Sequence, residues 1–159
     1  MIFGEYNPAG RLVQTWYYGN YTQEIMMDNM NMRVNVSQNA TVGRGYRYYY
    51  GDVVYPFGYG LSYTTFKCSG FSVNKNEFSV NIENTGKYDG SAVVMIYFEP
   101  TNGGKNNIET RRLVGFGRVD KLKKGGTSNL KMTMYQEFYE SKEHANLDGK
   151  YVVSGACSS

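Results

Sequence analysis

A chain of 159 residues is long enough for one domain and part of a second. Its formal charge of +3 is scattered along the chain, with only Lys121, Lys123 and Lys124 grouped, which gives no basis for nucleic-acid binding. No stretch approaches the ~20 consecutive apolar residues of a membrane span, and a content of 16 Tyr and 19 Gly favours a β-rich fold, because Tyr suits half-buried sheet surfaces.

Residues 1–62 show little regular periodicity. Met1-Ile2-Phe3 runs at once into Gly4, Glu5 and the turn-like Asn7-Pro8-Ala9-Gly10, so no signal peptide is read here. Residues 12–18 read as the single strand of this half. Three N-glycosylation sequons follow, at Asn20, Asn35 and Asn39, and they point to a secreted, extracellular glycoprotein. Secretory marks without a secretory leader lead to the expectation that the chain has lost its beginning. Met26, Met27, Met30 and Met32 lack Cys or His partners and read as packing rather than a soft-metal site. The run Tyr46-Arg47-Tyr48-Tyr49-Tyr50 is aromatic on both alternating faces and requires cover on both sides. This half is expected to be the last part of a larger domain, unable to fold alone.

From Tyr63 onward strands and turns alternate. Residues 65–74 form a first strand; Phe78, Val80 and Ile82 alternate with Ser79, Asn81 and Glu83 in a half-buried second. Asn84-Thr85-Gly86 and Asp89-Gly90 turn the chain. Residues 91–99 are a dense apolar run suited to a central strand buried on both faces. A polar loop at 101–107 precedes a strand at 113–119, ended by the lysine turn and Gly125-Gly126. Residues 129–134 alternate again, 135–143 read as a short helix or an irregular crossover, and 149–155 supply the last strand. This spacing predicts a β-sandwich of about seven strands.

Cys68 and Cys157 stand near the two ends of this second half. They either form a disulfide, worth up to ~4 kcal/mol for so long a loop in the chain-entropy model, or remain two thiols held apart by the sandwich. With His144 the only histidine, they cannot assemble a metal site.

The segment from Phe3 to Leu12 (Phe3-Gly4-Glu5-Tyr6-Asn7-Pro8-Ala9-Gly10-Arg11-Leu12) resembles one near the end of the second, α/β-sandwich domain of family 3 glycoside hydrolases. Val54-Tyr55-Pro56-Phe57-Gly58-Tyr59-Gly60-Leu61-Ser62-Tyr63-Thr64-Thr65-Phe66 is similar to that family's link into its C-terminal, fibronectin type III-like domain, an immunoglobulin-like sandwich. Residues 80–86 and 113–119 continue the likeness, and 28–33 with 43–49 resemble the β-xylosidase and arabinofuranosidase branch. Val13-Gln14 departs from the proline and valine the family often has there. The resemblance implies a remnant of the α/β-sandwich domain with the link at 1–62 and the fibronectin type III-like domain at 63–159. It implies an intact enzyme that removes terminal xylosyl or arabinosyl units with retention and needs no cofactor. In that enzyme the segment 30–50 would approach the active-site rim, with Tyr46 and Arg47 as rim residues. The nucleophilic aspartate and the acid/base glutamate lie upstream in the family, and neither motif is matched here, so the chain is expected to be non-catalytic by itself. Its expected partners are the upstream catalytic domains and, through them, xylo- or arabino-oligosaccharides.

The link has its own physical logic. Pro56 fixes φ, while Gly58 and Gly60 permit turns that a side chain would block. Phe57, Tyr59, Leu61 and Tyr63, with Ser62 among them, can then plug a seam between two domains or form a sugar platform. Retaining hydrolysis needs two carboxylates ~5–5.5 Å apart, and Glu5, Glu24, Asp28, Asp52, Asp89 and Glu109 all read as turn or surface residues. His144, between Glu143 and Ala145, reads as solvated rather than as a base. A free-standing fibronectin-like module that binds carbohydrate or protein is the alternative; such a module has no use for the first sixty residues.

Overall fold

The computed structural model describes residues 3–35, 37, 41–102, 109–140 and 148–157. Asn39 and His144 lie outside the described residues, as do most of the loop at 101–107 and the end of the segment 135–143. Among the described residues the first part of the chain carries β1 (Trp16–Tyr17), α1 (Tyr21–Glu24), α2 (Gly45–Tyr48) and β2 (Val53–Tyr55). The strand expected at 12–18 shrinks to two residues, paired antiparallel with β2. The aromatic run at 46–50 is not extended: Gly45, at φ +67°, opens the single helical turn of α2. That turn sends Tyr46 one way, onto Phe57, and Tyr49 the other, against Tyr17 and Tyr21.

The rest is a β-sandwich. It contains β3 (Phe66–Asn74), β4 (Glu77–Asn84), β5 (Gly90–Pro100), β6 (Arg112–Leu122), β7 (Thr127–Thr133), α3 (Gln136–Glu140) and β8 (Gly149–Gly155). The antiparallel sheets run β3-β4-β7 and β6-β5-β8. The described sandwich strands therefore number six, against the expected seven or so. Segment 135–143, left open between helix and crossover, is helical over α3. No helix among the described residues is long and apolar enough to cross a membrane.

Side-chain period explains the packing. On β4, Phe78, Val80 and Ile82 point inward and are fully or almost fully buried, while Asn81 and Glu83 face water. They meet Ala92, Val94, Ile96 and Phe98 of β5, Val114 of β6 and Met132 of β7 in one core. Burying such side chains supplies roughly 1.5–3 kcal/mol each, which is what holds the sheets face to face. β5 is also covered on its outer face, where Met95 and Tyr97 lie under the link. Cys68 of β3 is bonded to Cys157, just beyond β8, with Cα atoms 5.4 Å apart. Because β3 and β8 are edge strands of different sheets, this bond closes one open side of the sandwich.

Asn84 is fully buried rather than a plain turn residue. Its side-chain oxygen accepts from Thr64 Oγ1 at 2.6 Å, and its amide donates to the carbonyls of Tyr88 (2.8 Å) and Leu122 (3.0 Å). One satisfied polar side chain thus ties the link, the β4–β5 turn and the end of β6 together.

Candidate functional site

The link lies between the first segment and the sandwich, and both glycines are demanded by what they touch. Gly58 has φ +84°, and a Cβ there would meet Met95 Sδ at 2.8 Å and Tyr97 Oη at 3.1 Å. A Cβ on Gly60 would collide with the Gly10 carbonyl oxygen. Backbone bonds pin the opposite side: Leu12 N donates to Tyr59 O, and Gly58 N to Leu12 O, both at 2.8 Å. Arg11 Nη1 donates to Gly60 O at 3.0 Å. The Asn7 side chain accepts from Tyr63 N (2.9 Å) and Ser62 Oγ (3.0 Å), and donates to Asp89 O (3.0 Å).

Of the link residues, Phe57 carries the contact with the sandwich. It stacks on Tyr46 at 4.2 Å and meets the edge of Tyr97 at 6.5 Å. Pro56 precedes it at the crevice described below. Tyr59 packs on Tyr55, whereas Leu61 and Tyr63 stay exposed.

Tyr46 and Arg47 lie at the same seam. Thr110 N donates to Arg47 O at 2.6 Å, and Thr110 Oγ1 to Tyr46 O at 2.9 Å. The Arg47 guanidinium is spent on an ion pair with Glu109, which Arg112 shares, its Nε at 2.8 Å from Glu109 Oε2. Tyr48 adds its hydroxyl to the same carboxylate at 3.2 Å.

Glu109 therefore corrects the reading of it as a turn or surface residue: it is 7% exposed and lies between two guanidiniums. Burial pushes its carboxyl up, but hydrogen bonds from Arg112 and Arg47 outweigh this and hold it below the usual carboxylate value. The i,i+3 spacing to Arg112 was visible in the sequence; the pairing with Arg47, 62 residues away, was not.

Glu5, Asp28 and Asp52 are exposed and Glu24 is half-buried. Asp89 accepts from Lys123 Nζ at 2.7 Å and Lys124 N at 2.9 Å. The described residues contain no cluster of three His, Cys, Asp or Glu suited to a metal ion. Asn20 is exposed at the start of α1 and makes no capping bond, and Asn35 Oδ1 accepts from Ser37 Oγ at 2.7 Å.

Beside Phe57, residues 15, 46, 49–51, 53, 56, 97 and 110–111 line a half-open crevice of about 280 Å3. Tyr46, Tyr49, Tyr50, Phe57 and Tyr97 give it aromatic walls, and Thr15, Thr110 and Arg111 its polar groups. Such a lining is suited to binding and orienting a small molecule.

No protein-family model matches the chain. It is 31% identical over 179 residues to the exo-1,4-beta-xylosidase xlnD of Aspergillus niger, covering 96% of this chain and 22% of that protein. It is 32% identical over 169 residues to the xylan 1,4-beta-xylosidase of Xylanibacter ruminicola, covering 100% and 18%. The chain spans about a fifth of the length of the curated relatives it matches. Among solved structures, a beta-glucosidase from Kluyveromyces marxianus superposes with a TM-score of 0.66 at 31% identity, over 96% of this chain and 20% of that one. The Bifidobacterium adolescentis GH3 beta-glucosidase gives 0.67 at 28%, over 96% and 24%.

Proposed function

We infer the role of this chain from one premise: it belongs to glycoside hydrolase family 3, where it corresponds to the C-terminal part of β-xylosidases and β-glucosidases. We propose that it is the accessory and structural portion of an exo-acting β-xylosidase-type enzyme of hemicellulose or glycan breakdown, and is not catalytic by itself. Residues 1–62 are then the end of the α/β-sandwich domain with its link, and 63–159 the fibronectin type III-like domain that braces it. The upstream catalytic domains are its partner, and xylo- or arabino-oligosaccharides the substrates of the whole. In a secreted enzyme of this kind Asn20, Asn35 and Asn39 would carry the N-glycans.

The observation that carries this reading is where the apolar surface lies. Among the described residues, fifteen of the nineteen exposed large hydrophobic side chains fall between Phe3 and Tyr63. Such a concentration in one segment supports an interface there, as the end of a larger domain has toward the rest of that domain. Glu109 fits the same reading, since it is held ionised between two arginines as a structural ion pair.

An immunoblot of the native source with an antibody against residues 63–159, followed by assay of each band on aryl xylosides, tests it. The expected result is activity in a band several times larger than 18.1 kDa, and none in the 159-residue chain. Turnover by the short chain, or a single inactive band near 18.1 kDa, would sink the proposal. The latter would favour a free-standing binding module, a reading supported by the sandwich having its own core and disulfide.

A further inference from the structure

Arg11 stands apart from Arg47, Arg111, Arg112 and Arg118, each of which lies within ion-pair distance of a carboxylate. Arg11 has no such partner among the described residues, and its one hydrogen bond to them runs from Nη1 to Gly60 O at 3.0 Å. Its Nε is sealed from solvent without a partner, whereas Nη2, also unbonded, stays accessible. Burial pushes the guanidinium below its ordinary value, and no opposing charge counters that.

The side chain forms one wall of a cleft of about 410 Å3 between the link and the end of β8. Arg111 lines the same cleft, and no Asp or Glu is among its lining residues, so its field favours an anion. Arg111 has a counter-charge in Glu99, 3.5 Å away, which leaves the charge of Arg11 uncompensated. The rim of the cleft is apolar: Tyr59 lines it, and Tyr59 and the neighbouring Leu61 are 37% and 67% exposed. A protein surface that covers this rim takes Arg11 out of water. A guanidinium that loses water without gaining a counter-ion is strongly destabilising, so the covering surface must bring an anion with it.

We propose that Arg11 is the docking point for a carboxylate, an Asp or Glu side chain, from the upstream part of the same polypeptide. The carboxylate enters the cleft and pairs with Nη2. This rests on the reading of the chain as the end of a longer hydrolase, and it adds the chemistry of the surface that meets the link.

Carbodiimide crosslinking of the larger polypeptide carrying Arg11→Lys tests it. The substitution keeps a cation but supplies an amine, which condenses with a carboxyl in direct contact. The carboxyl adds to the carbodiimide, the amine attacks the acyl carbon and loses a proton, and a urea departs with the carboxyl oxygen. Peptide mass spectrometry should find position 11 joined to an Asp or Glu upstream of residue 1. No crosslink at position 11, or one only to a carboxylate within the 159 residues, overturns the docking point.

Arg11→Met gives a second reading. It should lower the thermal midpoint of the larger polypeptide by stranding the carboxylate. In the 159-residue chain the bond lost is the one to Gly60 O, so the midpoint there should stay within about 2 °C. An equal fall in both would make Arg11 a strut of the link and sink the proposal. An immunoblot with only an 18.1 kDa species removes the hydrolase reading and this docking point with it. A larger, active species whose position 11 does not crosslink removes the docking point alone.

Discussion

The two parts of this chain are built from similar residue types and use them in opposite ways. Of the buried hydrophobic residues described, the sandwich holds fourteen and residues 3–62 hold three: Ala9, Tyr21 and Ile25. The sandwich spends its apolar side chains on itself, through strands whose inward faces meet. The first part has one small cluster of its own, with Tyr17 stacked on Tyr21 at 3.8 Å, and turns the rest outward. The difference teaches that self-sufficiency depends less on how many apolar residues a segment has than on whether its own elements can face one another. Two-residue and three-residue strands and single-turn helices cannot.

The largest effect that would sharpen this contrast is loss of core volume. Ile96→Ala, at a fully buried position on β5, is expected to cost about 2–5 kcal/mol in urea unfolding. A cost below about 1 kcal/mol would mean that the sandwich core is not the main source of stability. Next comes the disulfide, which closes a loop 89 residues in separation. Reduction should lower stability by about 2–4 kcal/mol, read as a shift of the denaturation midpoint with and without reductant.

The join between the two parts is weaker. Glu109→Gln leaves Arg47 and Arg112 without their shared anion and should cost about 1–3 kcal/mol. It should also speed proteolysis within residues 46–57. The same carboxyl sets a pH window. Its value is lowered in the fold, so its contribution is full above the unfolded carboxyl value of about 4.3 and fades as pH falls through the lower folded one. Parent and E109Q should therefore converge in stability as acid is added, and a constant gap would contradict the ion pair. The smallest effect belongs to Ile25→Ala. Although Ile25 is 2% exposed, its cluster is small and opens locally, so the sandwich midpoint should move by less than about 1 kcal/mol. An equal cost at Ile25 and Ile96 would erase the distinction between the two parts.

Much of the sandwich was legible along the chain. The alternation of Phe78, Val80 and Ile82 follows from strand geometry alone, and the apolar run at 91–99 became β5, buried on both faces. Pro56, Gly58 and Gly60 were readable as a tight link because their conformational effects are local. The site was much less legible. Thr15, Tyr97 and Arg111 carry no motif, and they line one crevice only because residues 46–57 fold back onto β5 and the residues just before β6. The helical turn at Tyr46 was also hidden, since a four-residue helix has no periodicity to read.

By itself the sequence determined where strands and turns fall, which faces are apolar, and the family likeness of the link. These depend on backbone geometry and on neighbours a few residues away. Only the tertiary structure decided that Glu109 is buried between Arg47 and Arg112 and that Asn84 ties three segments together. It likewise decided that Cys68 bonds to Cys157, and that Phe57 covers the outer face of β5. Each of these joins residues far apart in sequence, and such pairing is selected by packing after the chain has closed its loops, which no local pattern encodes.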